Sequence, residues 1–186
     1  MTRCLSEERI VRGAAPTLAG LKTGSLFPCR FESRGQLIGD LGSINRRLGG
    51  HGLCLLPLRL SDDGALLYLF RPAQLQRDLE NAGARSILRE AGYGDLRPGR
   101  CLPQLLARFR SGGAFPHEVG LFLGYPPEDV RGFMENRGRR CKCAGCWKVY
   151  GDAEDARRRF AVYHSCTDRF CRQYAAGMSL EELSAM

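Results

Sequence analysis

No window of this chain approaches the roughly 20 consecutive apolar residues that a bilayer-spanning helix needs. Its first ten residues, MTRCLSEERI, carry charge where a signal peptide would place an apolar core. The reading is therefore a cytoplasmic protein without a membrane partner. Phosphate-loop motifs are also missing: Gly120, Gly124 and Gly132 follow the spacing G-x3-G-x7-G, which matches neither the Walker nor the dinucleotide fingerprint. There is no internal repeat, low-complexity tract or flexible linker. Lysine is scarce as well, since only 3 of the 28 basic residues are Lys. The formal charge of +8 therefore comes from arginines spread along the whole chain, which weakens its value as a pointer to a polyanion.

What the chain has in excess is cysteine. Nine thiols, an odd number, in a chain with no export signal argue for reduced cysteines and against a disulfide framework. Cys4, Cys29, Cys54 and Cys101 sit among apolar neighbours and read as small buried hydrophobes. Cys141, Cys143 and Cys146, followed by Cys166 and Cys171, form the strongest chemical signal. Four converging thiolates hold Zn or Fe, and the turn Cys143-Ala-Gly-Cys146 lets two sulfurs face one ion. The second pair is spaced less well, because Cys-x4-Cys sets its side chains roughly 140° apart on an ideal helix. A redox thiol pair and inert thiols are the competing readings.

With 44% hydrophobic and 26% charged residues the composition is that of a folded domain. The spacing predicts a short N-terminal helix broken by Pro16, then an extended run from Ser25 to Phe31. A capping box at Ser33-Arg-Gly-Gln36 opens a helix with Leu37, Ile38, Leu41, Ile44 and Leu48 on its apolar stripe. Leu53–Leu60 and Ala65–Phe70 read as a hairpin around Ser61-Asp-Asp-Gly64, covered on both faces, with Pro57 at an edge or bulge. Helices follow from Pro72, interrupted near Gly83, from about Leu102 to Arg110, and from Pro127 to a cap at Gly138. Trp147–Tyr150 has strand composition, and a long amphipathic helix from Ala153 carries Ala156, Phe160, Tyr163, Phe170 and Tyr174. Strands come early and helices late, so the expected fold is α+β: a small, mainly antiparallel sheet packed by several helices, with a Cys-rich strand and a long C-terminal helix. One domain spanning 1–186 is expected, with 139–186 as a Cys-rich C-terminal subdomain.

Two further stretches carry chemistry. His117-Glu118 opens the apolar segment HEVGLFLG, which loosely resembles the histidine strand of papain-like cell-wall peptidases, where a cysteine at a helix N-terminus is the nucleophile. The bland alternative is that the His117 ring nitrogens order the turn beside Pro116. The basic stretch 131–159 holds Arg131, Arg137, Arg139, Arg140, Lys142, Lys148 and Arg157–Arg159, interleaved with Glu135, Asp152, Glu154 and Asp155. It suits a nucleic-acid or protein-binding module, or a solvated face. Tyr125 and Trp147 are aromatics that could stack on a flat ligand.

The strings Ala15-Pro-Thr-Leu-Ala-Gly-Leu-Lys-Thr-Gly-Ser-Leu-Phe27, Phe115–Gly132 (FPHEVGLFLGYPPEDVRG) and Trp147-Lys-Val-Tyr-Gly-Asp152 are similar to the motifs of an uncharacterised bacterial family, a domain of unknown function. The resemblance covers most of the chain and brings no activity with it. It implies an association with iron or redox metabolism, hence an accessory protein with a Cys-ligated metal. The family pattern has a His-Cys pair before Ala-Pro-Thr where this chain has Gly13-Ala14. That departure disfavours a cysteine-dependent hydrolase.

Overall fold

The computed structural model describes residues 5–62 and 64–186, so Cys4 and one residue of the expected hairpin turn, Asp63, lie outside it. The chain divides into two units, one formed by the segment up to Ala73 together with Tyr163–Met186, the other by Gln74–Val162. The stretch 139–186 is shared between them.

In the first unit, Ser6 accepts a hydrogen bond from the Arg9 amide and starts α1 (Glu7–Leu18). Pro16 cannot donate to the helical ladder, and the break is taken up at Ala14, whose φ of −143° is non-helical. Next come β1 (Gly24–Arg30) and α2 (Arg34–Leu48), the latter capped by Ser33 accepting from the Gln36 amide. The helix buries Leu37, Leu41, Ile44 and Leu48, while Ile38 lies off this stripe and is exposed. β2 (Cys54–Leu60) and β3 (Gly64–Phe70) form the hairpin, and β1 pairs with β3 on its other side, giving the antiparallel order β1-β3-β2.

Proline explains the order. Pro28 and Pro57 both sit on edge strands, where a missing N–H costs no central ladder bond, and the register shifts between Pro57 and Arg59. The β2 edge is partly protected by Asn45 of α2, whose side chain donates to the Leu55 carbonyl at 2.7 Å and accepts from the Leu55 amide at 2.8 Å. One sheet face builds a core with Ile10, Leu18, Phe27, Leu37, Leu48, Leu67 and Leu69, closed by Phe170, Leu180 and Leu183. Tyr68 and Phe70, buried on the other face, stack at 4.6 Å.

The second unit is helical. α3 (Pro72–Glu80) and α4 (Ala82–Glu90) are separated at Asn81 and not at Gly83, because the Asn81 carboxamide accepts from the Gly83 and Ala84 amides and restarts the helix. α5 (Pro98–Arg110) begins earlier than its apolar stripe and buries Cys101, Leu105 and Phe109 at i, i+4 and i+8. The single turn α6 (Val119–Phe122) leads into α7 (Pro127–Asn136). Arg137, in the left-handed region at φ 49°, ends α7, and the Gly138 amide reaches back to the Phe133 carbonyl at 2.9 Å. Two-residue strands β4 (Cys143–Ala144) and β5 (Lys148–Val149) make the Cys-rich hairpin. α8 (Ala153–Ala175) begins in this unit and ends in the first, where α9 (Leu180–Ser184) follows. Among the described residues no helix is long and apolar enough to cross a membrane.

Ion pairing ties the first unit together at Arg47, whose guanidinium reaches Glu7 at 2.6 Å and grips both carboxylate oxygens of Glu181. Arg47 holds the Glu181 carboxyl below the usual carboxylate range. A folded-state pKa below the unfolded one stabilises the fold above the unfolded value and is lost as pH falls through the folded value. The group is about 30% exposed, so screening reduces its worth. Arg47→Met is expected to cost about 1 kcal/mol at pH 7, and its Tm difference from the native chain should shrink as pH falls below about 4. An unchanged difference at pH 3 would show that packing, not charge, supplies the contribution.

Candidate functional site

Pro126 and Pro127 begin α7 without an amide to leave unpaired, and Glu128 and Asp129 follow in its first turn. The acid at the third position does more than face the helix dipole. Asp129 is 3% exposed, and its carboxylate accepts from the Trp147 indole at 2.6 Å and from the Tyr150 and Gly151 amides at 2.7 Å each. A loop that has only a two-residue strand to satisfy its backbone thus finds an acceptor on a neighbouring helix. One residue on, Asp152 accepts from the Glu154 and Asp155 amides at 2.9 and 3.0 Å and caps α8, and these bonds hold its carboxyl below its ordinary range.

Close approach is secured by glycine. A Cβ at Gly132, in the middle of α7, would strike the Tyr150 ring, and one at Gly151 would come within 2.6 Å of Glu128 Cγ. On the hairpin, a Cβ at Gly145 would strike the Phe160 ring. Tyr125 stacks on Trp147 at 4.8 Å, Phe160 meets the indole edge-on at 4.5 Å, and the Tyr125 hydroxyl donates to the Cys146 carbonyl. The stretch from Tyr125 to Gly132, the second half of the Phe115–Gly132 motif, is therefore the surface on which the hairpin and the loop 147–152 dock.

Beside this junction is a half-open cleft of about 310 Å³. Its walls include Tyr125, Pro127 and Glu128 from one motif, Trp147 and Asp152 from the other, and Asn81 from the start of α4. Motifs far apart in sequence thus converge on one cavity. The profile of one protein family, described as a protein of unknown function (DUF3793), matches residues 10–184. The chain belongs to that family. No curated protein and no solved structure matches it.

Within this DUF3793 chain, His117 and Glu118 part company. The His117 side chain is exposed, its ring tilted against Phe133 at 4.9 Å and Phe115 at 5.7 Å. Backbone bonds from Val119 to Pro116 and from Gly120 to His117 close the turn, so the expected ordering by ring nitrogens is replaced by main-chain pairing. Glu118 points inward and is 4% exposed. It accepts from the Tyr93 hydroxyl at 3.2 Å and pairs with Arg108 at 3.6 Å, while Arg108 lies over the Tyr93 ring at 4.6 Å. Burial, then the Glu118 charge, pushes the Tyr93 phenol far above its usual range, so it remains a neutral donor.

Cys141, Cys143 and Cys146 are half-buried in the second unit, and Cys166 and Cys171 belong to the first. Cys166 joins the buried stripe of α8, and Cys171 packs against the same core. Among the described residues no three His, Cys, Asp or Glu side chains gather so as to hold a metal ion. At Gly13 and Ala14, where the family resemblance implied His-Cys, a Cβ on Gly13 would press on Phe27 and Ala14 is fully buried at the α1 kink.

The sequence reading missed Asp129, Tyr93 and Arg108. The available signal was Gly132, a glycine inside a well-formed helix pattern, which marks close approach of another chain segment. Replacing the Asp129 carboxylate by an amide turns a donor toward donors. Asp129→Asn is expected to lose about 2–3 kcal/mol in chemical denaturation and to red-shift Trp147 emission, whereas exposed Glu135→Gln should change neither. Native-like emission in Asp129→Asn would show that the carboxylate does not hold the loop.

Proposed function

We propose that this chain acts by binding, as an accessory protein, and not by covalent catalysis. The observation that carries the reading is that the groups a catalytic scheme would use are already engaged. Glu118 is held by Tyr93 and Arg108, Asp129 is saturated by three N–H donors, and the His117 ring rests on two phenyl rings. Burial pushes the thiols of Cys54, Cys101 and Cys166 up, the reverse of an activated nucleophile. What stays open is the 310 Å³ cleft, whose lining of Tyr125, Asp78, Glu128 and an Asp155–Arg159 pair suits a small polar ligand.

The basic stretch 131–159 supports a nucleic-acid-binding reading less well. Arg131 pairs with Glu90, Arg158 with Glu154, and Arg159 with Asp155, while Lys142 and Lys148 donate to the Gly151 and Gly138 carbonyls. Much of that charge is neutralised or tied to backbone.

Alkylation rates test the absence of covalent catalysis. With iodoacetamide at pH 6, no cysteine of the native protein is expected to react faster than a free thiol of ordinary pKa near 8.5. A single fast-reacting cysteine whose labelling disappears in His117→Ala would overturn the reading in favour of a hydrolase.

A second reading has its own support: three half-buried thiols, Cys141, Cys143 and Cys146, lie on one short hairpin, outside the apolar core. Closing around zinc or iron, they would make the accessory role one in iron or redox metabolism. Protein purified without oxygen is then expected to retain about one metal per chain by elemental analysis, unchanged in Cys101→Ala and lost in the Cys143→Ser/Cys146→Ser double variant. Metal-free native protein would remove this reading and leave the first untouched.

A further inference from the structure

Away from the cleft, the second unit has a depression of about 490 Å³ lined by Arg85, Arg89, Tyr93, Gly94, Asp95, Leu96 and Arg97. Arg85 and Arg89 are one turn apart on α4, where like charges repel, and neither forms an ion pair among the described residues. Arg97 does have a partner, gripping Asp95 through Nε at 3.0 Å and Nη2 at 2.5 Å. One carboxylate therefore faces three guanidiniums in the lining, with a fourth, Arg100, close enough to act on Asp95.

The floor is held in place. The Gln104 side chain donates to the Asp95 carbonyl at 2.7 Å and accepts from the Gly94 amide at 2.9 Å, while Asp95 Oδ1 also accepts the Arg97 amide at 3.0 Å. This loop brings Arg97, the residue that precedes α5, into the lining of the depression. The N-cap Arg97 makes no side-chain capping bond, the first turn has no acid, and the space around Gly99 is open. A basic residue, Arg100, even occupies that first turn, where the helix dipole disfavours it. Two arginines of α4 without a carboxylate partner and the Arg97–Asp95 pair of a braced loop thus meet at one concave surface, which is left with a net positive charge.

We propose that this depression is an anion site that takes the phosphate group of a small phosphorylated ligand. Phosphate fits better than carboxylate because its three terminal oxygens can serve guanidiniums arriving from α4 and from the 93–97 loop, whereas a carboxylate has two oxygens. The volume exceeds a bare phosphate and leaves room for the group that carries it. Glycines and lysine are absent in the phosphate-loop arrangement, so the site is built from side-chain forks and not from a backbone cradle.

The test is an amide-shift titration of the isotopically labelled full chain with inorganic phosphate and with glycerol 3-phosphate, at constant ionic strength set with chloride. Saturable shifts are expected at Gly94, Arg97, Gly99 and Arg100, with acetate about tenfold weaker. Arg85→Gln/Arg89→Gln removes two charge-assisted partners, one half-buried and one exposed, and is expected to weaken phosphate binding about tenfold or more. Arg110→Gln, at the far end of α5, removes charge elsewhere and should leave the affinity within about twofold. Shifts that merely follow ionic strength, or an equal loss in Arg110→Gln, would overturn the site. So would saturable shifts elsewhere with none at residues 94–100.

Discussion

A single carboxylate sets the geometry of the second unit. The loop from Trp147 to Gly151 brings an indole and two backbone amides into a place with almost no strand to pair with, and buried donors without acceptors are costly. Asp129 meets all three from the first turn of α7. A neutral acceptor would serve with fewer lone pairs, and an apolar residue would leave the donors stranded. Once the loop is pinned, Asp152 is in place to cap α8, the hairpin lies with Gly145 against Phe160, and the aromatic stack of Tyr125 on Trp147 follows. The cleft is a by-product of the same anchoring, because its walls are the two partners of that contact.

Part of the arginine excess acquires a structural meaning. Arg71 donates to the Thr17, Leu18 and His51 carbonyls, closing the C-terminal end of α1, where orphan carbonyls need donors. Arg47 joins Glu7 and Glu181, Arg108 joins Glu118, Tyr93 and the Ala91 carbonyl, and Arg131 joins Glu90 and Ser86. Each relies on a planar fork with several donors, which a lysine ammonium at the same place could not reproduce. The count of 25 arginines therefore overstates how many guanidiniums are free to meet a partner.

Local rules carried the sequence reading a long way. The α2 cap at Ser33, the hairpin, the edge placement of Pro57, the start of α7 at Pro127 and the α8 stripe all depend on residues within a turn or two of each other. The α+β class follows from those pieces. Refinement came where two local signals lay close together, as at Asn81, whose carboxamide restarts the helix two residues before Gly83, and at Arg137, which enters the left-handed region together with Gly138. The site was less accessible because its chemistry is non-local. Nothing near Asp129 announces that its partners lie 18 to 22 residues later, and nothing near Glu118 points back to Tyr93. His117 and Glu118 are adjacent in sequence and face opposite ways, one to solvent and one to the interior.

The first unit is assembled from both ends of the chain, with Gln74–Val162 between its parts. On a ribosome this imposes an order of events. When Ala73 emerges, the sheet and α1 can pair, yet Ile10, Leu18, Phe27 and Leu67 still lack the Phe170, Leu180 and Leu183 that close their core. At ~5–20 residues per second the remaining chain takes roughly 5–20 s to arrive. Through that interval the newborn sheet must keep an apolar face from other chains, and the prolines on its two edge strands help by denying a neighbour an unbroken row of amides to pair with.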